Sequence, residues 1–128
     1  MSEIRVLIVD DYPDVANVVC TLLKLLGHDC RAATNGAAAI EIVKTWEIDI
    51  ALVDIGLPDV SGLELARRFR DIAGVRPIYL AAISGWGEPS DRVQALAAGF
   101  DHHVLKPIDA GIAKRIVQLA EARLPRRD

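Results

Sequence analysis

Cysteine is scarce in this sequence: Cys20 and Cys30 are the two cysteines in 128 residues. Neither belongs to a CxxC pair or to a cluster with metal-ligand spacing, which excludes a disulfide scaffold and a zinc ribbon. The pair reads as two reduced, mostly buried thiols rather than a bridge. Long hydrophobic runs are missing too, since none approaches the roughly 18 residues that span a bilayer. The opening segment MSEIRVLIVDD lacks a basic region followed by an apolar stretch of signal length. A cytoplasmic location, away from any membrane, is expected from those absences. Positive charge is not in excess. The formal net charge is −3, so no general pull toward nucleic acid is expected. Arg67, Arg68 and Arg70, like Arg115, Arg123, Arg126 and Arg127, adjoin no aromatic platform and read as solvated helix faces. Repeats, low-complexity stretches and linkers are absent as well. One domain over residues 1–128 is expected, with 122–128 as a frayed tail.

What is present suits a globular core. Hydrophobic residues make up 52% and charged residues 26% of the chain. At this length folding hides about two-thirds of the unfolded surface, so no staple is needed.

Short apolar runs alternate with helical periodicity. Ile4 to Val9 reads as a strand buried on both faces and stops at Asp10 and Asp11. Pro13 suits a helix start, Val15, Val18, Val19, Leu22, Leu23 and Leu26 recur at helical spacing, and Gly27 ends the helix. His28 to Ala33 reads as a less apolar, edge-like strand. Asn35 and Gly36 lead into a helix with Ala39, Ile40 and Val43. Ile48 to Val53 is a third strand, ending at Asp54. Gly56, Leu57, Pro58, Asp59 and Gly62 make a turn-rich loop, where Ser61 and Glu64 have capping-box spacing. Leu63, Leu65, Ala66 and Phe69 supply the apolar residues of the next helix. Pro77 to Ile83 is a fourth strand, ending at Ser84. Ser90 to Ala98 is a short helix, His102 to Leu105 a fifth strand ending at Lys106, and Asp109 to Leu124 a last amphipathic helix. Parallel strands need crossovers, so this alternation implies an α/β fold. A flavodoxin-like, doubly wound, five-stranded parallel sheet in the order 2-1-3-4-5 with five helices is the natural candidate.

Four of the apolar runs end on polar residues: Asp10 and Asp11, Asp54, Ser84, and Lys106. The carboxyl ends of parallel strands share one sheet edge, where open α/β folds place ligands. Three carboxylates there repel one another, and a hard cation such as Mg²⁺ relieves the repulsion. A carboxylate beside that ion can attack phosphorus, with Lys106 and Ser84 receiving phosphoryl oxygens. Taken singly, these aspartates read as helix caps. Asp14 and Asp49 read as solvated or capping, and Asp59 as shaping the loop after Pro58.

Four segments carry a resemblance: LIVDD at Leu7 to Asp11, ALVDIGLPDVSGLEL at Ala51 to Leu65, Ser84-Gly85, and Lys106-Pro107. Together, in this order, the chain resembles the receiver domains of two-component response regulators over nearly its whole length. The resemblance implies that Asp54 is the phosphoacceptor. It implies that Asp11 and the Gly56 carbonyl bind Mg²⁺ (or Mn²⁺) beside Asp54, with Asp10 acting through water. Ser84 matches the switch hydroxyl, Lys106 the family's lysine, and the Lys106–Pro107 bond would be cis. His103 stands where that family usually carries Tyr or Phe, and a smaller, titratable switch residue is expected there. Gly56 and Trp86 match positions flanking the water path to the phosphoaspartate, so they are the expected tuners of its lifetime. The implied donor is a histidine kinase or a histidine phosphotransfer protein, and the downstream target is left open.

The expected activity is phosphoryl acceptance and switching rather than turnover. Two rivals remain: a degenerate receiver serving only as a binding module, and a small aspartyl-phosphate phosphatase. Such phosphatases tend to place a second acid two residues after the nucleophile, and here Gly56 stands there.

Overall fold

The computed structural model describes residues 4–57, 59–85 and 89–124, with the side chains of 89–91 left aside. Five strands alternate with five helices: β1 (Arg5–Val9), α1 (Pro13–Leu25), β2 (Asp29–Ala33), α2 (Gly36–Thr45), β3 (Ile50–Asp54), α3 (Gly62–Ala73), β4 (Tyr79–Ser84), α4 (Pro89–Ala97), β5 (His102–Leu105) and α5 (Ala110–Arg123). The strands form one parallel sheet in the order β2-β1-β3-β4-β5. This is the expected topology, with β2 and β5 at the edges.

The period-two alternation of the strands divides the core between the two sheet faces. Leu7, Val9, Ala51, Val53, Leu80 and Ala82 pack with Ala39 and Val43 of α2, Leu65, Ala66 and Phe69 of α3, and Ala95 of α4. Val6, Ile8, Ile50, Leu52, Ala81 and Ile83 pack on the other side with Ala16, Val19, Cys20 and Leu23 of α1 and Ile116, Val117 and Ala120 of α5. Covering both faces is why the central strands read as nearly continuous apolar runs. Cys20 and Cys30 are free and buried in the second cluster. Burial, with the Cys20 thiol alongside, pushes the Cys30 thiol well above the ordinary range.

Local signals set most helix ends. Pro13 opens α1, and Gly27, at φ +94°, follows its end. Side chains of Asn35, Ser61 and Asp109 accept from the amides of Ala38, Glu64 and Ile112, capping α2, α3 and α5. Helix α5 runs from Ala110 through Arg123, within the span Asp109 to Leu124 read from the sequence.

Three polar side chains depart from their sequence reading. Arg70 is only partly solvated. Its guanidinium donates to the carbonyls of Gly99 and Ile78 and pairs with Asp101 at 3.0 Å. Asp101 also accepts from the Leu80 amide at 2.9 Å, so one network ties α3 to β4 and to the turn before β5. Arg67 and Arg68 are exposed, as expected. Asp59 does more than shape its loop: its carboxylate accepts from the amides of Gly36 at 2.9 Å and Ala37 at 3.1 Å. These bonds, Gly36's first, hold Asp59 below the usual carboxylate range and fasten the β3–α3 loop to the start of α2. Asp49 accepts from the Arg5 amide at 2.9 Å. In each case the partner lies far away in sequence, where periodicity has no reach.

No helix among the described residues is long and apolar enough to cross a membrane.

Candidate functional site

Parallel register brings the strand ends level. Val9 pairs with Val53, Asp54 with Ile83, and Ser84 with Leu105. Asp10, Asp11, Asp54, Ser84 and Lys106 therefore meet at one edge, where β1 and β3 adjoin and the strand order reverses.

Asp54 is buried, and both of its oxygens are engaged. Oδ1 accepts from the Gly56 amide at 2.8 Å, and Oδ2 accepts from Lys106 Nζ at 2.7 Å. The same ammonium lies 3.7 Å from Asp10 Oδ2 and 5.8 Å from the centroid of the Tyr12 ring. Burial pulls the Lys106 ammonium down. The bond to Asp54 and the fields of Asp54, Asp10 and Asp11 outweigh that, and its pKa rises above the ordinary lysine value. Lys106 is thus firmly cationic, a fixed charge aimed at the acids.

One cation faces three acids, so negative charge is left over. Asp10 shows the consequence. Burial raises its pKa above the usual carboxylate value, with Asp54 and Asp11 adding to the rise, against the opposing bond from the Tyr12 amide and the Lys106 charge. Carboxylate oxygens of Asp10, Asp11 and Asp54 lie within 4.8 Å of one another. Hard oxygen donors at this separation, short of positive charge, fit a small divalent cation.

The backbone around Asp54 is tightly cut. A Cβ on Gly62 would lie 2.5 Å from Ile55 Cα and 3.0 Å from the Asp54 carbonyl oxygen. The first turn of α3 is thereby pressed against the end of β3, and only glycine fits. Gly62→Ala is expected to cost about 2 kcal/mol of stability by overpacking. Urea denaturation measures this, and an unchanged midpoint would mean that the loop yields freely.

Ser84 is buried at the end of β4, and its carbonyl accepts from the Lys106 amide at 2.9 Å. Its hydroxyl lies 2.9 Å from His103 Nε2. The sequence reading named both residues without linking them. The link was legible only once β4 and β5 were paired, since 19 residues separate the two. Gly56 is held through its amide, and the Lys106–Pro107 bond is cis, as the resemblance implied. Trp86 and Pro58 lie outside the described residues. Sequence reasoning missed an apolar groove beside the site, lined by Tyr12, Val15, Val18, Pro107 and Ile108 together with Asp10 and Lys106. Tyr12, Val15 and Val18 are exposed, although Val15 and Val18 had read as part of the apolar stripe of α1.

A doubly wound 2-1-3-4-5 sheet with three acids, a hydroxyl and a lysine at its switch point defines the class, and the comparisons agree. The chain matches the family model of the response regulator receiver domain over residues 6–118, and it belongs to that family. It is similar to the response regulator protein PilR of Pseudomonas aeruginosa, 34% identical over 120 residues, covering 94% of this chain and 26% of that protein. It is 39% identical over 107 residues to the transcriptional regulatory protein TrcR of Mycobacterium tuberculosis, covering 83% of this chain and 40% of that one. It is 27% identical over 123 residues to the sensor histidine kinase RcsC of Escherichia coli, covering 96% of this chain and 13% of the kinase. The chain thus spans less than half the length of these relatives. Among solved structures, the CheY-like receiver domain from Methylobacillus flagellatus is 30% identical with a TM-score of 0.80, covering 93% of this chain and 99% of that one. A two-component response regulator from Clostridium difficile, 22% identical, shares the fold at a TM-score of 0.87, covering 94% of this chain and 98% of its own.

Proposed function

We propose that this chain accepts a phosphoryl group on Asp54 from a phosphohistidine and answers with a change in its binding surface. The observation that carries the reading is the environment of Asp54: Gly56 holds one oxygen, Lys106 the other, and Asp10 and Asp11 stand beside them.

An Asp54 oxygen attacks phosphorus, the donor's phosphorus–nitrogen bond breaks, and the imidazole leaves with the bonding pair. The transition state is loose, so positioning and charge neutralisation do most of the catalysis. Lys106 shifts from the carboxylate to a phosphoryl oxygen, and the Ser84 hydroxyl donates to another. A bound Mg²⁺ or Mn²⁺ supplies the remaining positive charge. Asp11, Asp54 and the Gly56 carbonyl would hold it directly, with Asp10 acting through water. The missing side chain at Gly56 leaves a path for hydrolytic water, and the resemblance makes Trp86 the second position that tunes the lifetime.

The donor is a histidine kinase or a histidine phosphotransfer protein. Its histidine-bearing helix fits the apolar groove along α1, which is continuous with the site through Asp10 and Lys106. The changed surface lies around α4 and β5, where Val93, Leu96 and Leu105 are exposed, and there a downstream protein binds or leaves. The chain serves as one receiver module over residues 1–128 in a cytosolic setting, and it turns over no external substrate. Incubation with a small acyl phosphate, with and without Mg²⁺, tests the reading by intact mass. One added phosphoryl group is expected, only with the metal; no adduct from any donor would refute it.

Asp10 supplies a second test. Its raised folded pKa means that the folded chain holds this proton more tightly than the unfolded chain. Its stabilising contribution is full below the unfolded carboxylate value and is lost as pH rises through the folded one. Asp10→Asn mimics the protonated form. It is expected to raise stability at pH 7 by about 1 kcal/mol, with the gain shrinking at acid pH, while Mg²⁺ affinity falls. Thermal melts at two pH values and a Mg²⁺ titration check both parts. A less stable variant at pH 7 would show that the carboxylate is instead well paired.

A further inference from the structure

The β3–α3 loop is pinned along its length. At its start the Gly56 amide donates to Asp54 Oδ1 at 2.8 Å. At its end the Gly62 amide donates to the Ile55 carbonyl at 3.4 Å, and Ser61 caps α3. Between them Asp59 reaches sideways to another element. Its carboxylate accepts from the amides of Gly36 and Ala37, which open α2 and lie 23 and 22 residues away in sequence. Gly36 permits the approach, since a Cβ there would collide with the Val60 side chain. Asn35 already caps α2 locally through the Ala38 amide. Asp59 takes the amides that this cap leaves open, where water could serve them as well. The bridge is therefore more than the helix needs. The start of α2 is also tied to the acids. It follows β2, whose last residue, Ala33, is in register with Val9 and accepts from the Asp10 amide at 3.1 Å. One frame thus runs from Asp10 through the start of α2 to Asp59 and the loop that carries Gly56.

We propose that Asp59 is a positioning residue for the metal: it clasps the β3–α3 loop to α2 and so holds the Gly56 carbonyl in place for a divalent cation beside Asp10, Asp11 and Asp54. The inference rests on the reading of those residues as a cation site. Gly56 is exposed and has no side chain to pack, so its carbonyl must be fixed by its neighbours. Mg²⁺ demands near-ideal octahedral geometry and tolerates little displacement of a ligand. A loop that samples several positions binds it only in the competent fraction, and the apparent affinity falls by that fraction. Asp59 touches neither the cation nor the reacting atoms. It acts by keeping the loop in the binding position before the cation arrives.

The test is a Mg²⁺ titration, followed by amide resonances, of the parent, Asp59→Ala and Asp59→Asn. Lowering the competent fraction of the loop to about one-fifth weakens apparent affinity about fivefold, and that loss is expected for Asp59→Ala. Asparagine can still accept one amide through Oδ1, so Asp59→Asn should stay within about twofold of the parent. Both variants lose the charge. An equal loss in the two that fades with added salt would mean that Asp59 acts through its field, and would overturn the clasp. Without metal, the amides of Gly36, Ala37 and Gly56 should exchange faster with solvent in Asp59→Ala, while those of β1 and β3 keep the parent's protection. Faster exchange throughout the sheet would reveal a general loss of stability and would likewise overturn it. Acyl phosphate formation from a small donor should slow in Asp59→Ala at limiting Mg²⁺ and return to the parent rate at saturating Mg²⁺. Parental affinity in Asp59→Ala, or a deficit that saturating Mg²⁺ does not rescue, overturns the clasp while leaving the cation site. A parent that binds no Mg²⁺ overturns both.

Discussion

Asp54→Asn is expected to abolish phosphorylation while leaving the fold intact. Asparagine preserves the side chain's shape and can still accept from the Gly56 amide through Oδ1. It forfeits the ionised oxygen that attacks phosphorus. Lys106 loses its 2.7 Å partner but keeps the field of Asp10 at 3.7 Å, and one of three crowded acids is neutralised. These effects oppose one another, so the melting temperature should move by only a few degrees. Intact mass after treatment with a small acyl phosphate and Mg²⁺ should show one phosphoryl group on the parent and none on the variant. An adduct that survives the substitution would remove Asp54 from the centre of the mechanism. Steady release of phosphate from phosphomonoesters by the parent would favour the phosphatase instead.

Phe69→Ala is expected to have the largest effect on stability. Phe69 is 0% exposed and heads the fully buried side chains by volume. It lies on α3 in the cluster beneath β1, β3 and β4, alongside Leu65, Ala66, Leu80 and Phe100. Removing the ring forfeits its burial and leaves a cavity that a parallel sheet closes poorly, at about 3–5 kcal/mol. A domain of this kind has only about 5–15 kcal/mol in total. The urea midpoint should therefore fall by roughly 2 M with an unchanged slope. Val75 provides the contrast: it is fully exposed after α3, and Val75→Ala should stay within about 0.5 kcal/mol. A loss below about 1 kcal/mol for Phe69→Ala would mean that the cluster repacks and that α3 is not anchored by this ring.

The strongest sequence signals came from pattern rather than from single residues. Runs such as Ile4 to Val9 and Ile48 to Val53 are apolar on both faces because helices cover both sides of the sheet, and that pattern identified parallel strands. Strand ends proved less legible. The fourth strand runs from Tyr79 to Ser84 rather than from Pro77, because pairing with β3 begins at Tyr79. Caps at Ser61 and Asn35 were readable because donor and acceptor lie within one turn. Arg70 and Asp59 were misjudged because their partners are carbonyls and amides brought near only by the finished fold. The groove along α1 was hidden because Val15 and Val18 share helical spacing with buried Val19, and periodicity cannot tell a covered stripe from its exposed margin.

By itself, the sequence determined that this is an alternating α/β chain of the receiver type whose strands end on Asp10, Asp11, Asp54, Ser84 and Lys106. Those statements depend on periodicity, chain order and residue chemistry, all of them local. The tertiary structure alone decided which oxygen of Asp54 Lys106 takes, how far Asp10 is desolvated, and that Ser84 meets His103. Each of these depends on distances between residues far apart in the chain, and such distances exist only after the sheet has brought them to one edge.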